Sequence, residues 1–278
     1  MQGKPSRPVI NRAHPVARGL VGAWPMWERG GVRAGDIARG QTGSLTAGVA
    51  WGRGPSPGTL WDTNCEDDSL DCGTLFQPRG SAGITAAVWV RPDGTPTGPN
   101  SSSYSSLLSL DSATLGGTPV LWLGRYDTAP YNACWFVTDC NGTTVATVSY
   151  QYSAANTAVV GAWYHVVGVR HPSGNVTLYV NGRLPTLSLN LQNTTSIDAN
   201  TYRTVIGAQA GWLYRGWEGL ISDVRLWSRA LTAQEIGQLY ARPWELYHRR
   251  PLCIGKTPAA AVTSKPFYFR RYVTRRAG

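Results

Sequence analysis

The chain has 278 residues, of which 42% are hydrophobic and only 15% charged, a balance that excludes an intrinsically disordered protein. No stretch approaches the about 20 consecutive apolar residues of a membrane-spanning helix. Residues 1–10 also lack the apolar core of a signal peptide, so synthesis without Sec export is expected. The formal net charge of +10 is unevenly placed. Residues 1–18 hold Lys4, Arg7, Arg12 and Arg18 with no acid, and residues 244–278 hold eight basic residues against Glu245 alone. The stretch between them carries fourteen basic and fifteen acidic residues. A nucleic-acid-binding domain normally carries its basic patch on the folded body. The sequence therefore disfavours nucleic acid and points to a near-neutral body, 19–243, with two basic arms that grip a partner.

In chain order, Leu20–Trp24 is the first strand candidate. A Gly-rich stretch follows, with a further candidate at Leu45–Trp51. Thr59–Asp62 and Ser69–Phe76 read as short strands flanking an acidic turn. Ile84–Val90 is a strong strand stopped by Arg91-Pro92-Asp93-Gly94. Ser106–Leu110, Pro119–Tyr126, Ala133–Thr138 and Thr143–Tyr152 continue the series, with Asn141-Gly142 as a hairpin signal. Ala162–Arg170 and Asn175–Val180 form the clearest hairpin; Val176–Val180 alternates as one buried face requires. Arg203–Ala208 and Leu220–Trp227 are the last strands. Thr232-Ala-Gln-Glu235 is a capping box, which opens one short helix over Ala233–Ala241 that Pro243 stops. Thirty-two Gly and eighteen Pro among many short β-prone runs indicate an all-β fold.

Catalytic signatures are sparse. His14, His165, His171 and His248 are scattered with no zinc-hydrolase spacing, and no Gly-x-Ser-x-Gly elbow supports a serine nucleophile. The five Cys show no CxxC spacing. Cys65/Cys72 and Cys134/Cys140 are close enough in sequence to pair, leaving Cys253, but without export the thiols default to the reduced state. Trp122, Tyr126, Tyr131, Trp135, Trp212 and Tyr214 lie near predicted strand ends or loops, where flat rings can stack on sugars. Trp89, Trp163, Trp217 and Trp227 are expected between two sheets, and Ile236, Leu239 and Tyr240 are expected to pack the helix on a sheet end. The arm segment 267–276, Phe-Tyr-Phe-Arg-Arg-Tyr-Val-Thr-Arg-Arg, interleaves aromatic and basic residues, which suits docking as an added strand.

The order of Ile84–Pro92, Trp163–Val169, Val176–Gly182, Gly207, Trp217–Trp227 and Arg229–Ile236 closely resembles the laminin-G-like, concanavalin A-like jelly-roll domain over about residues 19–242. The resemblance implies an all-β, antiparallel two-sheet jelly-roll β-sandwich with one short C-terminal helix. The segments Asn11–Trp24 and Tyr240–Tyr247 resemble a subgroup common in bacteriophage and phage-like gene sets. That implies a non-catalytic virion-associated structural or decoration protein, held to capsid or other assembly proteins through residues 1–18 and 244–278. A lectin-like module for cell-surface glycan is the alternative. Related jelly rolls often hold a structural Ca²⁺; the matching positions here are Asp36 and Asp223, few donors for an ion that takes about 6–8 oxygens. Glu66-Asp67-Asp68-Ser69-Leu70-Asp71 is similar to the carboxylate motif of laminarinase-type glucanases. It ends one methylene short, carries polar residues where a buried strand needs apolar ones, and precedes Ile84–Val90, so a solvated acidic turn is the favoured reading over a glycoside hydrolase.

Overall fold

The computed structural model describes residues 8–46, 49–52, 59–62, 69–94, 104–112, 120–126, 132–139, 148–194, 197, 201–209 and 216–249. Its strands are β1 (Pro8–Ile10), β2 (Leu20–Trp24), β3 (Arg33–Gly35), β4 (Thr42–Leu45), β5 (Ala50–Gly52), β6 (Thr59–Asp62), β7 (Leu70–Asp71), β8 (Ile84–Pro92) and β9 (Tyr104–Ser112). There follow β10 (Leu121–Tyr126), β11 (Ala133–Asp139), β12 (Val148–Ser153), β13 (Tyr164–Arg170), β14 (Val176–Val180), β15 (Leu187–Leu191), β16 (Tyr202–Ile206) and β17 (Gly219–Trp227). The helix α1 (Ala233–Ala241) and β18 (Tyr247–Arg249) end the described chain.

Sixteen of these strands form two antiparallel sheets, confirming the jelly-roll sandwich, and β1 and β18 form a separate pair. One, of nine strands among the described residues, runs β15-β12-β11-β10-β9-β16-β7-β4-β3. The other, of seven, runs β14-β13-β8-β17-β6-β5, with β2 also paired to β17. Alternation decides what lies between them. Leu121 and Leu123 of β10, Cys134 and Phe136 of β11, Ala86 and Val88 of β8 and Val166 of β13 all point into one buried cluster. The sheets approach closely where Gly168 faces Phe136: a Cβ there would lie 2.1 Å from the Phe136 ring.

The alternate residues of the seven-stranded sheet build a second buried cluster on its outer face. Ala87, Val167, Val169 and Trp227 meet Ile236 and Leu239 of α1, and Ile10, Val16 and Leu246 of the terminal segments. The helix begins as its sequence requires. Thr232 Oγ1 accepts from the Glu235 N–H at 3.2 Å, and the Glu235 carboxylate accepts from the Thr232 N–H at 2.9 Å. Trp89 also lies on this face, stacked on His165 at 5.1 Å and on Tyr240 at 5.8 Å.

Several expectations change. Residues 8–18 and 244–249, read as arms, belong to the folded body, because Val16, Ile10 and Leu246 are needed to complete the second cluster. β1 pairs with β18, setting Pro8 opposite Arg249. Of the four tryptophans expected between the sheets, Trp217 lies there, whereas Trp227 and Trp89 face the helix side. Trp163 is only half-buried and precedes β13. The candidate strand Leu45–Trp51 is β4 and β5, which belong to different sheets. The candidate Ser69–Phe76 shrinks to β7, because Asp71 Oδ1 accepts from the Gly73 N–H at 2.9 Å and Gly73 turns the chain with φ 66°. The hairpin signal Asn141-Gly142 lies outside the described residues.

The edge strand β14 is closed by side chains of the opposite layer. Gln192 Oε1 accepts from the Val176 N–H at 2.7 Å and its Nε2 donates to the Val176 carbonyl at 3.1 Å, while Gln151 Oε1 accepts from the Leu178 N–H at 2.8 Å. Unpaired edge amides are templates for unwanted strand pairing, and these amide side chains occupy them.

Burial, with a smaller contribution from the Arg225 charge, lowers the His165 imidazole from 6.5 to about 3. The folded state therefore holds His165 neutral where the unfolded chain protonates it. Its contribution is present above pH 6.5 and is lost as pH falls toward 3, with a slope of about 1.4 kcal/mol per pH unit. Urea unfolding at pH 7 and pH 4.5 should show a smaller loss in His165→Gln than in the wild type; equal losses would exclude this residue as the source.

Candidate functional site

The outer face of the nine-stranded sheet carries the most distinctive side chains of the described structure. On β10, β11 and β12 the residues alternating with the core are Trp122, Trp135, Tyr150 and Tyr152, joined by Tyr104 of β9 and Tyr126. Trp122 meets Trp135 edge-on at 4.3 Å, and Tyr104 meets Tyr126 edge-on at 4.7 Å. Trp135 also lies 6.4 Å from Tyr152, which in turn meets Tyr150 at 5.5 Å. Trp135 is fully buried beneath its neighbours, whereas the other five rings are half-buried. Two local devices allow this layout. Gly124 lies under the Trp135 ring, where a Cβ would come within 2.3 Å of it, and a register shift between Leu123 and Gly124 sets β10 against β9. The Trp122 Nε1–H donates to Ser106 Oγ. The Trp135 Nε1–H is buried and has no acceptor among the described residues.

Toward β16 and β7 the same face becomes charged. Arg203 stands opposite Asp111 in register, and its Nε donates to Asp71 Oδ1 at 2.8 Å. Burial alone would raise the Asp71 carboxyl; the Arg203 guanidinium and the Gly73 N–H outweigh it and hold the group below the usual carboxylate range. A carboxylate held ionised in this way is unsuited to act as a general acid. Of the acidic motif 66–71, Glu66, Asp67 and Asp68 lie outside the described residues; Leu70 is core and Asp71 is the partner of Arg203.

The two carboxylates expected to hold Ca²⁺ have other occupations. Asp36 Oδ1 accepts from the N–H groups of Ala23 and Ala38 at 2.7 and 2.8 Å, and Oδ2 accepts from Arg39 N–H at 3.2 Å. Asp223 is set at φ 55°, at a bulge in β17. Its Oδ1 accepts from Arg225 Nε at 3.0 Å and from the Tyr247 hydroxyl at 2.7 Å, and its Oδ2 from Arg225 Nη2. Amide hydrogens and a guanidinium surround these oxygens, a donor set that does not fit a cation requiring a shell of oxygens. Among the described residues no group of three or more His, Cys, Asp or Glu side chains gathers to hold a metal.

Of the six aromatics singled out in the sequence, Trp122, Tyr126 and Trp135 share the outer face, and Tyr131, Trp212 and Tyr214 lie outside the described residues. Tyr104, Tyr150 and Tyr152 were missed, although the alternation Tyr150-Gln-Tyr152 was a readable sign of a one-sided aromatic row. His165 is a buried sheet residue. His171 is half-buried at its turn, with Nε2 2.9 Å from Thr177 Oγ1. Cys72 is half-buried and Cys134 is buried, and Cys65, Cys140 and Cys253 lie outside the described residues. No described helix is long and apolar enough to cross a membrane.

A two-sheet antiparallel jelly roll with an aromatic sheet face defines the class, a lectin-type β-sandwich. Residues 66–237 match the family described as the concanavalin A-like lectin/glucanases superfamily (Laminin_G_3), and the chain belongs to that family. No curated protein matches the chain in sequence. Similar solved folds include the Trypanosoma rangeli sialidase in complex with sialic acid (17% identity, TM-score 0.57, 82% of this chain and 34% of that one). Domain 4 of AbnA, a GH43 extracellular arabinanase from Geobacillus stearothermophilus in complex with arabinotriose, is also similar (15% identity, TM-score 0.54, 80% of this chain and 98% of that one). A third is the binding domain of Paraclostridial Mosquitocidal Protein 1 (13% identity, TM-score 0.58, 81% and 52%). The chain thus spans about a third of the sialidase, and at these identities the likeness is one of fold.

Replacing Arg225 by Met should leave Asp223 buried without its counter-charge and cost about 3–5 kcal/mol in chemical unfolding. The double change Asp223→Asn with Arg225→Met should recover part of that loss, and a cost below 1 kcal/mol for the single change would show the pair to be dispensable.

Proposed function

We propose that the protein is a non-catalytic carbohydrate-binding module that holds glycan on the outer face of its nine-stranded sheet. The observation that carries this reading is the row of six rings from Tyr104, Tyr126, Trp122, Trp135, Tyr150 and Tyr152 on that face. The faces of sugar rings present C–H groups, which pack against aromatic rings, while polar groups at the edge fix orientation. Arg203 and its partner Asp71 are polar groups on this face, and Ser106 and Asp111 are buried within it. The family of lectins and glucanases, and the presence of sugars in the similar sialidase and arabinanase-domain structures, support the same reading. The pairing of Asp71 with Arg203 favours binding over hydrolysis.

A glycan array read with the full chain should give a neutral or acidic oligosaccharide ligand. Trp122→Ala and Tyr150→Ala should each weaken it about fivefold or more, worth about 1 kcal/mol, with the thermal unfolding profile retained. Unchanged affinity in both variants would remove the face from the account.

A second reading concerns display, and the pairing of β1 with β18 favours it. Pro8 stands opposite Arg249, so residues 1–7 and 250–278 are joined to the described body at adjacent points. Those segments hold nine Lys or Arg and no acid. Two basic segments leaving together suit attachment of the sandwich to an acidic assembly surface, as in a phage-type virion carrying it as a decoration protein. Removing residues 250–278 should abolish incorporation into such particles while the glycan ligand is still bound; incorporation at the wild-type level would refute the attachment role.

A further inference from the structure

On the opposite side of the sandwich from the aromatic face, the N-terminal segment and the start of α1 enclose a groove of about 770 Å³, within the size range of small-ligand sites. Arg12, His14, Arg18, Ser228, Arg229 and Glu235 are among its lining residues. Three arginines and one glutamate thus line it, and that carboxylate is already engaged. Glu235 accepts from Arg229 Nη1 at 2.9 Å, from Arg229 Nη2 at 2.6 Å and from the Thr232 N–H at 2.9 Å. Its carboxyl is held below the usual range, chiefly by Arg229. Arg229 is fixed further by its Nε–H to the Arg18 carbonyl at 2.7 Å, and it crosses the chain where Gly19, at φ 77°, leaves room for it. Arg229 and Glu235 therefore cancel as a pinned pair.

The other two guanidiniums have no such partner. Arg12 gives one N–H to the Ala38 carbonyl, and no carboxylate pairs with it among the described residues. The Arg18 side chain is exposed and makes no hydrogen bond or ion pair among the described residues. Glu245, whose partner Gln238 also lies 3.2 Å from His14 of the groove, is bound by Gln238 and Arg242, and Asp36 is bound by backbone N–H groups. A concave surface with two unopposed guanidiniums focuses positive potential, and each guanidinium offers a planar fork of donors that matches an oxyanion.

We propose that this groove is an anion-binding site, which takes a carboxylate, sulfate or phosphate group through Arg18 and Arg12. The site is independent of the aromatic face, so either can fail without the other. Nuclear magnetic resonance titration of the full chain with inorganic phosphate, at ionic strength held constant with chloride, tests it. Saturable shifts are expected in the amides of residues 12–19 and 228–235. Arg18→Ala should raise the Kd about fivefold and Arg18→Glu should abolish saturation; since the structural contacts of Arg18 are made by its backbone, which both substitutions keep, both variants should unfold at the wild-type temperature. Parallel titrations with sulfate and with glucuronate identify the source of the group, the tightest of the three naming the ligand chemistry. Shifts that never saturate, or a Kd unchanged in Arg18→Glu, would overturn the proposal.

Discussion

Among the described residues, the chain covers three of its four sheet faces with its own side chains, and the rest of the structure follows from how it does so. Two inner faces bury each other. The outer face of the seven-stranded sheet is closed by Ile236 and Leu239 of α1 together with Ile10, Val16 and Leu246 from the two ends of the described chain. A Trp227 ring at the centre of that layer is fixed by its Nε1–H to the Val16 carbonyl at 2.7 Å. The terminal segments are thereby tied to the sandwich and to each other, and the outer face of the nine-stranded sheet is left to present its aromatic row. Half-buried rings in such number on one face are a surface suited to a partner.

The bulge at Asp223 makes the closing layer possible. Before it β17 pairs with β6, and after it with β2. The same residue holds Arg225 and Tyr247, and the Arg225 guanidinium reaches the Pro243 carbonyl. One buried charge pair thus joins the partner change in the sheet to the return of the C-terminal segment. Removing a single partner is costly because the other charge stays buried, whereas the pair as a unit contributes little net stability. Its role is better understood as fixing one arrangement of the chain ends.

The sequence displayed the interior of the fold more clearly than its margins. The helix was legible to the residue, because Thr232 and Glu235 form a local, self-contained signal, and β8, β13 and β14 were legible because both their alternation and their turns are strong. β15 was not read, although Leu187, Leu189 and Leu191 alternate, since a short polar edge strand with its central leucine exposed resembles a loop in composition. The segments at residues 8–18 and 244–249 looked like arms because their few buried residues have no period; each fills a space that only the folded sheet creates. The site was half legible. Trp122, Tyr126 and Trp135 could be named, but which face of a strand looks outward depends on register, and the bulge beside Gly124 is not visible in the residues. The occupation of Asp36 by the Ala23 N–H and of Asp223 by the Tyr247 hydroxyl was hidden because these partners are 13 and 24 residues away.

The most direct test of a binding face on β10, β11 and β12 is a map of amide chemical shifts as the full chain is titrated with its best oligosaccharide. The expected result is a contiguous set of shifts over residues 121–126, 133–139 and 148–153, with residues 233–241 of the helix unmoved. Shifts confined to the helix side of the sandwich, with those three strands silent, would contradict the account.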